Sequence, residues 1–264
     1  MGSSMPRPTQ VTLTLDRGLQ ILRAFHADRV PLTNGELASR TGLSRSSVSR
    51  FTSTLIHEGY IRRVAGGPQF ELTMGVFAIG QSYLATSLVT QLAQPLMQRL
   101  ADRLDVSVAL AVPDQLEMLY IAYQCGARIS TLQLGVGSLL PMGTTAIGRA
   151  WLGGLSESMR ERYIARLLAA AGPQAEALRA GIETAKEDLR SNGVCLSAGE
   201  YQRNAYGIAL PIRLQRAQTL MALSCGAVEP KLDIDAARNR IVPALRQAAV
   251  ELESLLCEVE FKAP

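Results

Sequence analysis

Histidine and closely spaced cysteines are scarce in this chain. It contains two histidines, His26 and His57, and four cysteines that are far apart along the sequence. These are Cys125, Cys195, Cys225 and Cys257. A zinc site takes Cys and His ligands at short spacings such as C-x-x-C. We therefore expect no metal site and no other cofactor, and we expect the ordinary reduced thiols of a cytoplasmic protein.

Long apolar runs are also missing. No stretch approaches the roughly 20 apolar residues that a membrane-spanning helix needs. The first residues lack the apolar core of a secretory signal. We find no internal repeat and no low-complexity tract. We therefore expect a soluble, cytoplasmic protein without membrane contacts. At 264 residues, 47% of them apolar, the chain is long enough for two folded domains.

Charge is distributed unevenly along the chain. Residues 1–86 contain nine arginines and five acidic residues, whereas residues 87–264 contain eighteen basic and eighteen acidic residues. The basic excess therefore lies in the N-terminal third, where it favours contact with a polyanion such as nucleic acid. An excess of this size also occurs on ordinary solvated surfaces. The basic excess therefore supports a nucleic-acid partner only if the same segment also contains a nucleic-acid-binding motif.

Such a motif lies in residues 33–58. Thr33-Asn34-Gly35-Glu36 matches a capping box, which predicts a helix to about Arg40. Gly42 favours the left-handed turn that ends a helix. Ser44 then begins a helix, rich in Ser and Arg, that continues to about Glu58. This pattern is a helix-turn-helix, whose second helix contacts duplex DNA.

The flanking segments complete a winged helix-turn-helix. A first helix is predicted at about residues 16–26, and two strands at 60–64 and 69–72 form a hairpin, the wing. From Met74 to about Leu104 the pattern is helical, and its first part suits a linker helix that packs on a partner chain. The fold class is therefore α+β with two domains.

The remainder of the chain mixes strands and helices. The predicted strands are residues 106–112, 116–123, 129–136, 193–200, 205–213 and 218–227. The predicted helices are residues 156–171, 174–190 and 233–259. A further helix opens at Gly143–Ala146, where free backbone amides and the helix dipole favour a carboxylate or phosphate. Ordinary N-capping by one of the two Thr hydroxyls is the alternative interpretation.

The candidate DNA contacts lie on the recognition helix, its caps and the wing. They are Thr33, Ser44, Arg45, Ser46, Ser47, Ser49, Arg50, Arg62 and Arg63. Arg45 and Arg50 can bridge guanine O6 and N7 or hold phosphates, and the serines are short donors that permit close approach. The alternatives are a solvated helix face and, for Arg62 and Arg63, solvated strand charges.

Both halves of the chain resemble the IclR family of bacterial transcription regulators. The N-terminal matches are Leu15-Asp16-Arg17-Gly18-Leu19, Glu36-Leu37-Ala38, Thr41-Gly42-Leu43-Ser44-Arg45-Ser46-Ser47-Val48, Glu58-Gly59-Tyr60 and Phe70-Glu71-Leu72. The C-terminal matches are Leu140-Pro141-Met142, Thr145-Ala146-Ile147-Gly148-Arg149-Ala150, Gly193, Ser197-Ala198-Gly199-Glu200 and Ile208-Ala209-Leu210-Pro211-Ile212. The resemblance covers roughly residues 10–258.

The resemblance implies a winged helix-turn-helix domain (residues 1–73), a linker helix (74–90) and a GAF-like α/β effector-binding domain (91–264). It implies homodimers, or dimers of dimers, that bind pseudopalindromic operators in double-stranded DNA. It predicts a repressor whose operator binding responds to a small organic acid. A ligand-regulated activator of a catabolic operon is the alternative.

The resemblance also implies which residues line the effector cavity. Besides Gly143, Thr144 and Thr145, these are Leu132, Leu140, Ala146, Ile147, Ser197, Ala205 and Gly207. This small, mostly apolar set suits a compact acid, including an aromatic one. Tyr201 and Tyr206 are either further lining residues or surface residues, and Arg128 is either an acid partner or a solvated charge. The chain departs from the family pattern at Gly143, where His is common, and at Arg149, where Lys is usual.

Two other classes of function compete with the regulator. An enzyme would need a nucleophile with a base, or a metal, in one cleft, yet residues 87–264 contain no histidine. Glu200, if it lies near Thr144, is the candidate general base for such an enzyme. An architectural nucleoid protein would carry basic charge over the whole chain, which this sequence does not. We therefore predict no enzymatic activity.

Overall fold

The computed structural model describes residues 11–25, 30–127, 134–214, 219–229 and 233–262. The chain forms two compact units, Met1–Thr86 and Ser87–Pro264. The first unit is mostly helical with one short hairpin. The second is built around a six-stranded sheet. A mostly helical segment followed by a sheet-based unit gives the α+β class that the sequence predicts.

The elements of the N-terminal unit follow one another closely. They are α1 (Leu13–Ala24), α2 (Asn34–Thr41), α3 (Arg45–His57), β1 (Ile61–Arg63), β2 (Phe70–Leu72) and α4 (Met74–Thr86).

Local signals determine where α2 and α3 begin and end. The Thr33 hydroxyl accepts a hydrogen bond from the Glu36 amide while the Glu36 carboxylate accepts one from the Thr33 amide, so both halves of the capping box form. Gly42 ends α2 at φ 69°, a left-handed conformation that costs glycine little. Ser44 caps α3 by accepting from the Ser47 amide. These contacts hold α2 and α3 in the predicted helix-turn-helix.

A small apolar core joins the three helices to the wing. Ile21 of α1, Leu37 of α2 and Val48 of α3 are fully buried together with Phe70 of β2. β1 and β2 pair antiparallel, and Leu32 adds a bridge to Phe70 from the segment before α2. The hairpin is thereby fixed against the helices, as a wing requires.

The C-terminal unit alternates helices with antiparallel strands. It begins with α5 (Leu88–Leu104), β3 (Ser107–Asp114), β4 (Glu117–Cys125), β5 (Leu139–Pro141), α6 (Ala146–Gly154) and α7 (Glu157–Ala171). It continues with α8 (Ala175–Asn192), β6 (Cys195–Ala198), β7 (Ala205–Leu214), β8 (Thr219–Val228) and α9 (Ile234–Lys262).

One sheet separates two layers of helices. The strand order is β5-β4-β3-β8-β7-β6, and every neighbouring pair is antiparallel. Successive side chains of a strand point to opposite faces. Accordingly, Val108 and Leu110 of β3 pack with α5 and α9, whereas Ala109 and Ala111 pack with the layer of α6, α7 and α8. The small residues on that second face leave room for a cavity.

The structure corrects three local predictions. The continuous helix at 74–104 is interrupted at Ser87, which is extended and caps α5 through the Thr90 amide. Residues 139–141, where no strand was predicted, form β5 at the edge of the sheet, where Pro141 needs no amide donor. Of the strand predicted at 129–136, residues 134–136 are not in a strand, and the part before residue 134 lies outside the described residues.

No helix within the described ranges is long and apolar enough to cross a membrane.

Candidate functional site

The recognition helix α3 presents a polar face to solvent. Arg45, Ser46, Ser49 and Arg50 are exposed, whereas Val48, Thr52 and Leu55 are buried against the rest of the unit. The helix therefore separates its packing face from its polar face, as the sequence predicts. Two guanidinium groups and the Ser49 hydroxyl remain available on one side for an external partner, and the Ser46 hydroxyl beside them contacts Ser44.

The hydroxyls at the start of α3 are linked to one another. Ser44 Oγ lies 3.0 Å from both Ser46 Oγ and Ser47 Oγ and accepts from the Ser47 amide at 3.2 Å. Thr33 also has hydrogen-bond partners within the chain, because its amide and its hydroxyl both donate to the Glu36 carboxylate at 2.7 Å. Among the predicted DNA contacts, Thr33 and Ser44 therefore also cap helices, and Ser47 is the hydrogen-bond partner of the Ser44 cap.

The two wing arginines have partners inside the hairpin. Arg62 Nε donates to Glu71 Oε1 at 2.7 Å across the two strands, although 71% of the Arg62 side chain is exposed. The Arg63 guanidinium lies 4.8 Å from the centre of the Phe70 ring, a cation–π distance. The wing therefore carries its positive charges on side chains that already have partners within the hairpin.

The C-terminal unit contains a cavity between the sheet and the start of α6. Its volume is about 70 Å³. Seven of the predicted effector residues line it: Leu140, Thr145, Ala146, Ile147, Ser197, Ala205 and Gly207. Tyr201 and Tyr206, which the sequence left undecided, line it as well. Gly143 and Thr144 line a neighbouring outer groove instead, and Leu132 and Arg128 lie outside the described residues.

Thr145 is a helix cap, which is the alternative that the sequence left open. Its hydroxyl donates to the Pro141 carbonyl at 2.7 Å and accepts from the Gly148 amide at 3.4 Å. The one hydrogen of this hydroxyl is therefore in use within the chain. Within the described residues, the amides of Ala146 and Ile147 have no acceptor. These amides are the donors that the helix start offers.

Arg149 is buried and holds the two chain segments beside the cavity. Its Nε donates to the Gly143 carbonyl at 2.8 Å, and its Nη1 donates to Glu200 Oε1 at 2.7 Å. Nη2 contacts Glu200 Oε2 at 2.5 Å, which completes a two-point ion pair. Because the Glu200 carboxylate is paired in this way, it does not act as the base imagined near Thr144.

Glycines make room for this arrangement. A Cβ atom on Gly181 of α8 would collide with the Arg149 guanidinium, and a Cβ on Gly143 would lie 2.7 Å from a methyl group of Leu178. A Cβ on Gly148 would collide with the Met142 backbone. The glycines at 143 and 148 thus permit the close packing of the loop that begins α6.

Several lining residues were missed in the sequence. Ser107 and Ala109 of β3, Tyr120 of β4, and Ser224 and Gly226 of β8 also line the cavity. They belong to strands that were predicted, but their shared position depends on the register between strands. Burial raises the pKa of the Tyr120 phenol, and a hydrogen bond with Ser224 acts in the opposite direction. Tyr120 is therefore a neutral phenol at physiological pH.

The two buried thiols, Cys195 and Cys225, have raised pKa values. All four cysteines are free. Burial raises the pKa of Cys225 to about 12, and burial together with the charge of Asp188 raises that of Cys195 to about 12. A thiol with so high a pKa is a poor nucleophile at neutral pH. In the part of the chain that the structure describes, no three His, Cys, Asp or Glu side chains cluster as metal ligands would.

A winged helix-turn-helix with a polar recognition helix, followed by a sheet-based unit that contains a cavity, defines a class of protein: the DNA-binding transcription regulators. Residues 14–65 match the IclR helix-turn-helix domain, and residues 81–254 match the family described as bacterial transcriptional regulator IclR C-terminal. The chain belongs to the IclR family and is a transcriptional regulator, not an enzyme.

The similarity to known relatives extends over nearly the whole chain. The p-hydroxybenzoate hydroxylase transcriptional activator of Acinetobacter baylyi is 28% identical over 252 residues, covering 92% of this chain and 91% of the relative. A crystal structure of an IclR family transcriptional regulator from Brucella abortus has a TM-score of 0.87 at 31% identity and covers 93% of each chain. The relatives include both activators and repressors.

A further solved relative carries a bound ligand. It is an IclR homologue from Microbacterium hydrocarbonoxydans complexed with 4-hydroxybenzoate, with a TM-score of 0.66 at 24% identity. The alignment covers 93% of this chain and 99% of that one. At this identity the likeness shows a shared fold.

Proposed function

We propose that the polar face of α3 binds operator DNA and that a small organic acid in the cavity beside α6 changes this binding. The observation that carries the DNA interface is the exposed pair Arg45 and Arg50 on a helix whose opposite face is buried. Arginines at such positions hold phosphates or read guanine in the major groove. Ser46 and Ser49 lie between them as short donors. Arg62 and Arg63 contact the sugar-phosphate backbone from the wing.

The class of acid follows from the cavity and from the relatives. The lining is small and mostly apolar, and at its α6 end the amides of Ala146 and Ile147 have no hydrogen-bond acceptor among the described residues. Such a helix start favours a carboxylate. One relative is complexed with 4-hydroxybenzoate, and another is named for the regulation of a p-hydroxybenzoate enzyme. We propose a one-ring aromatic acid as the effector.

The size of the cavity suggests how the acid acts. An engineered cavity of about 150 Å³ accommodates benzene, whereas this one measures about 70 Å³. An aromatic acid must therefore widen it, and a ligand that prefers the wider conformation shifts the equilibrium between the two. Residues 74–90 join the two units in sequence. We propose that this linker, between domains at 1–73 and 91–264, transmits the change.

We propose a homodimer on a pseudopalindromic operator, with a dimer of dimers as the larger assembly. The support is α4, which is rich in apolar residues and has none buried within the chain. Phe77, Ile79 and Tyr83 are at least half exposed, as are Leu15 and Leu19 of α1. A second copy is the occupant that matches a two-fold symmetric operator, because each half-site takes one recognition helix.

The sign of the regulation is proposed as repression, with activation as the alternative, since the relatives include both. A transcription reporter placed behind the native operator distinguishes them. Repression requires that deletion of this gene raises reporter output and that the effector does the same. A fall in output on deletion would establish activation instead.

Fluorescence anisotropy tests the DNA interface. The full chain is titrated into a labelled duplex from the region flanking its own gene, at two salt concentrations, beside a scrambled duplex. We expect tighter binding to the native duplex, weakened by salt. The double variant Arg45→Ala, Arg50→Ala should lose at least about tenfold in affinity, whereas Arg190→Ala on α8 should not. Unchanged affinity of the double variant would refute the assignment of α3.

A further inference from the structure

Four exposed residues form one stripe along the recognition helix α3. They are Ser46, Arg50, Ser53 and His57. Successive residues of an α-helix are rotated by about 100°, so this spacing of four, three and four residues keeps the side chains within a sector of about 60°. The buried residues Val48 and Leu55 lie on the opposite side. The stripe is therefore the part of α3 that faces furthest away from the core.

The stripe contains two long side chains with nitrogen donors, Arg50 and His57. The two serine hydroxyls stay close to the helix. That of Ser46 lies 3.0 Å from the Ser44 hydroxyl, and that of Ser53 donates to a backbone carbonyl one turn earlier at 2.9 Å. Arg50 already belongs to the proposed DNA interface, whereas His57, seven residues further along the helix, has no role so far.

The length of the stripe brings its end to the DNA backbone. From Ser46 to His57 the helix advances about 16 Å. The major groove is about 12 Å wide, and a recognition helix places its N-terminal residues at the base edges. When Ser46 and Arg50 lie in the groove, the last turn of α3 therefore reaches the phosphates that border it. His57 is the basic residue of that turn.

The His57 ring is available to such a phosphate. Within the described residues it forms no hydrogen bond and no ion pair. Glu58 follows it directly at the C-cap and projects about 100° away around the helix. The dipole of α3 also favours a cation in its last turn. The ring is therefore exposed, without a partner among the described residues, and placed where positive charge is favoured.

The other charged groups near α3 do not take the place of a phosphate. α3 packs against α1, α2 and β1. The carboxylates of these elements, Asp16 and Glu36, hydrogen-bond to Gln20 and Thr33. The remaining titratable side chains there, and in the turn after α3, are Arg17, Arg23, Arg40, Tyr60, Arg62 and Arg63. A phosphate of bound DNA is therefore the anion that can pair with a protonated His57.

We propose that His57 is a further DNA contact and that its protonated ring binds a backbone phosphate. This inference rests on the proposed function, in which α3 binds operator DNA. Histidine is the side chain whose charge ordinarily changes between pH 5 and 8. A phosphate favours the charged ring, so the bound state holds more protons than the free state and the affinity rises as the pH falls. The chain contains one other histidine, His26, so substitution can assign the effect.

Anisotropy titrations of the full chain at pH 6, 7 and 8 and constant ionic strength test this inference, with the native and scrambled duplexes as probes. We expect the affinity of the wild-type chain for the native duplex to fall between pH 6 and 8 by about threefold for each half-site, the effect of one exposed ion pair. The slope of log affinity against log salt should be steeper at pH 6 by up to about one for each half-site.

Three variants assign the effect to its residue. His57→Gln should bind like the wild type at pH 8 and lose the gain in affinity at pH 6. His57→Arg, whose charge is permanent, should bind at pH 8 as tightly as the wild type binds at pH 6, a result that a merely structural role would not produce. His26→Gln is the matched control, because it removes the other histidine, and it should retain the pH profile of the wild type.

The outcomes separate this inference from the proposed function. A wild-type chain that prefers the native duplex with an affinity independent of pH would overturn the role of His57 and retain the proposed interface. The wild-type pH profile in His57→Gln, its loss in His26→Gln, or no gain at pH 8 in His57→Arg would also overturn it. If the wild-type chain shows no preference for the native duplex at any of these pH values, the proposed function fails and the inference fails with it.

Discussion

Arg149 explains two departures from the family pattern together. The guanidinium lies in a slot that Gly181 leaves open, and it bonds to the Gly143 carbonyl and both oxygens of Glu200. A larger side chain at position 143 would meet Leu178. Glycine at 143 and arginine at 149 therefore belong to a single packing arrangement. It ties the loop before α6 to the segment after β6, and both border the cavity.

We expect Arg149→Lys to destabilise the chain, although it restores the usual family residue. An ammonium group cannot reach a carbonyl and both carboxylate oxygens in the planar geometry of guanidinium. A buried carbonyl left unpaired costs about 1–3 kcal/mol, and the free energy of unfolding, measured in urea, should fall by about that amount. Arg190→Lys is the control, because Arg190 pairs with Glu187 on an exposed helix surface. Equal stability of the two variants would contradict the structural role of Arg149.

The wing is an element in which one of two arginines is neutralised within the hairpin. Arg62 and Glu71 face each other across the β1–β2 ladder and form an ion pair. Glu71 both competes for the guanidinium and places a negative charge near any phosphate that Arg62 approaches. In the proposed DNA interface, we therefore expect the hairpin to bind nucleic acid less strongly than two unpaired arginines would. A weaker attraction of the wing to DNA phosphates would leave more of the binding energy to sequence-dependent contacts by α3.

We expect Glu71→Gln to tighten operator binding and to make it more sensitive to salt. Once released from Glu71, Arg62 neutralises its phosphate more fully, which steepens the slope of log affinity against log salt by up to about one. Anisotropy titrations at several salt concentrations measure this slope. Glu183→Gln on α8 removes the same charge from the other unit and should leave the slope unchanged. Weaker binding by Glu71→Gln would mean that the ion pair is needed to position the wing.

Helix boundaries that are determined by residues close in sequence were predictable. A strand that forms only by pairing with a segment distant in sequence was not. The capping box at Thr33, the left-handed Gly42 and the cap at Ser44 all act within a few residues, so the helix-turn-helix follows from the sequence. The strand β5 exists only through its pairing with β4, and Pro141 argued against it. The break at Ser87 depends on one cap that the surrounding helical pattern conceals.

The same distinction holds for the cavity. The residues at the start of α6 were predictable from a helix start and a family motif. Ser107 and Gly226 were not, since nothing local relates β3 to β8, and a shift of one residue in either register would turn them to the other face of the sheet. The direction of each hydroxyl hydrogen requires the coordinates as well. The register between strands therefore determines which strand residues line the cavity, and composition and motifs do not predict it.

At the scale of the whole molecule, the N-terminal unit exposes several large apolar side chains on α1 and α4. Neighbouring exposed apolar side chains often mark an interaction surface. α4 has no buried residue, and a groove of about 850 Å³ lies between α1, α3 and Ile79 of α4. Leu15 and Leu19 border that groove. The basic excess of the chain lies in the same unit. Pairing of two such units would cover the apolar helices and bring two recognition helices to one operator.

If the wild-type chain forms the proposed dimer, we expect Phe77→Glu to be a monomer, because a charge on the exposed face of α4 opposes burial against a second copy. Light scattering after size-exclusion chromatography measures the mass. Operator affinity should fall by at least about tenfold, since each half-site then binds singly, while acid binding in the cavity should persist. Val250→Glu is the control, because Val250 is also exposed but lies on α9 of the other unit. A Phe77→Glu variant that remains dimeric would exclude α4 from the interface and move the search to the C-terminal unit.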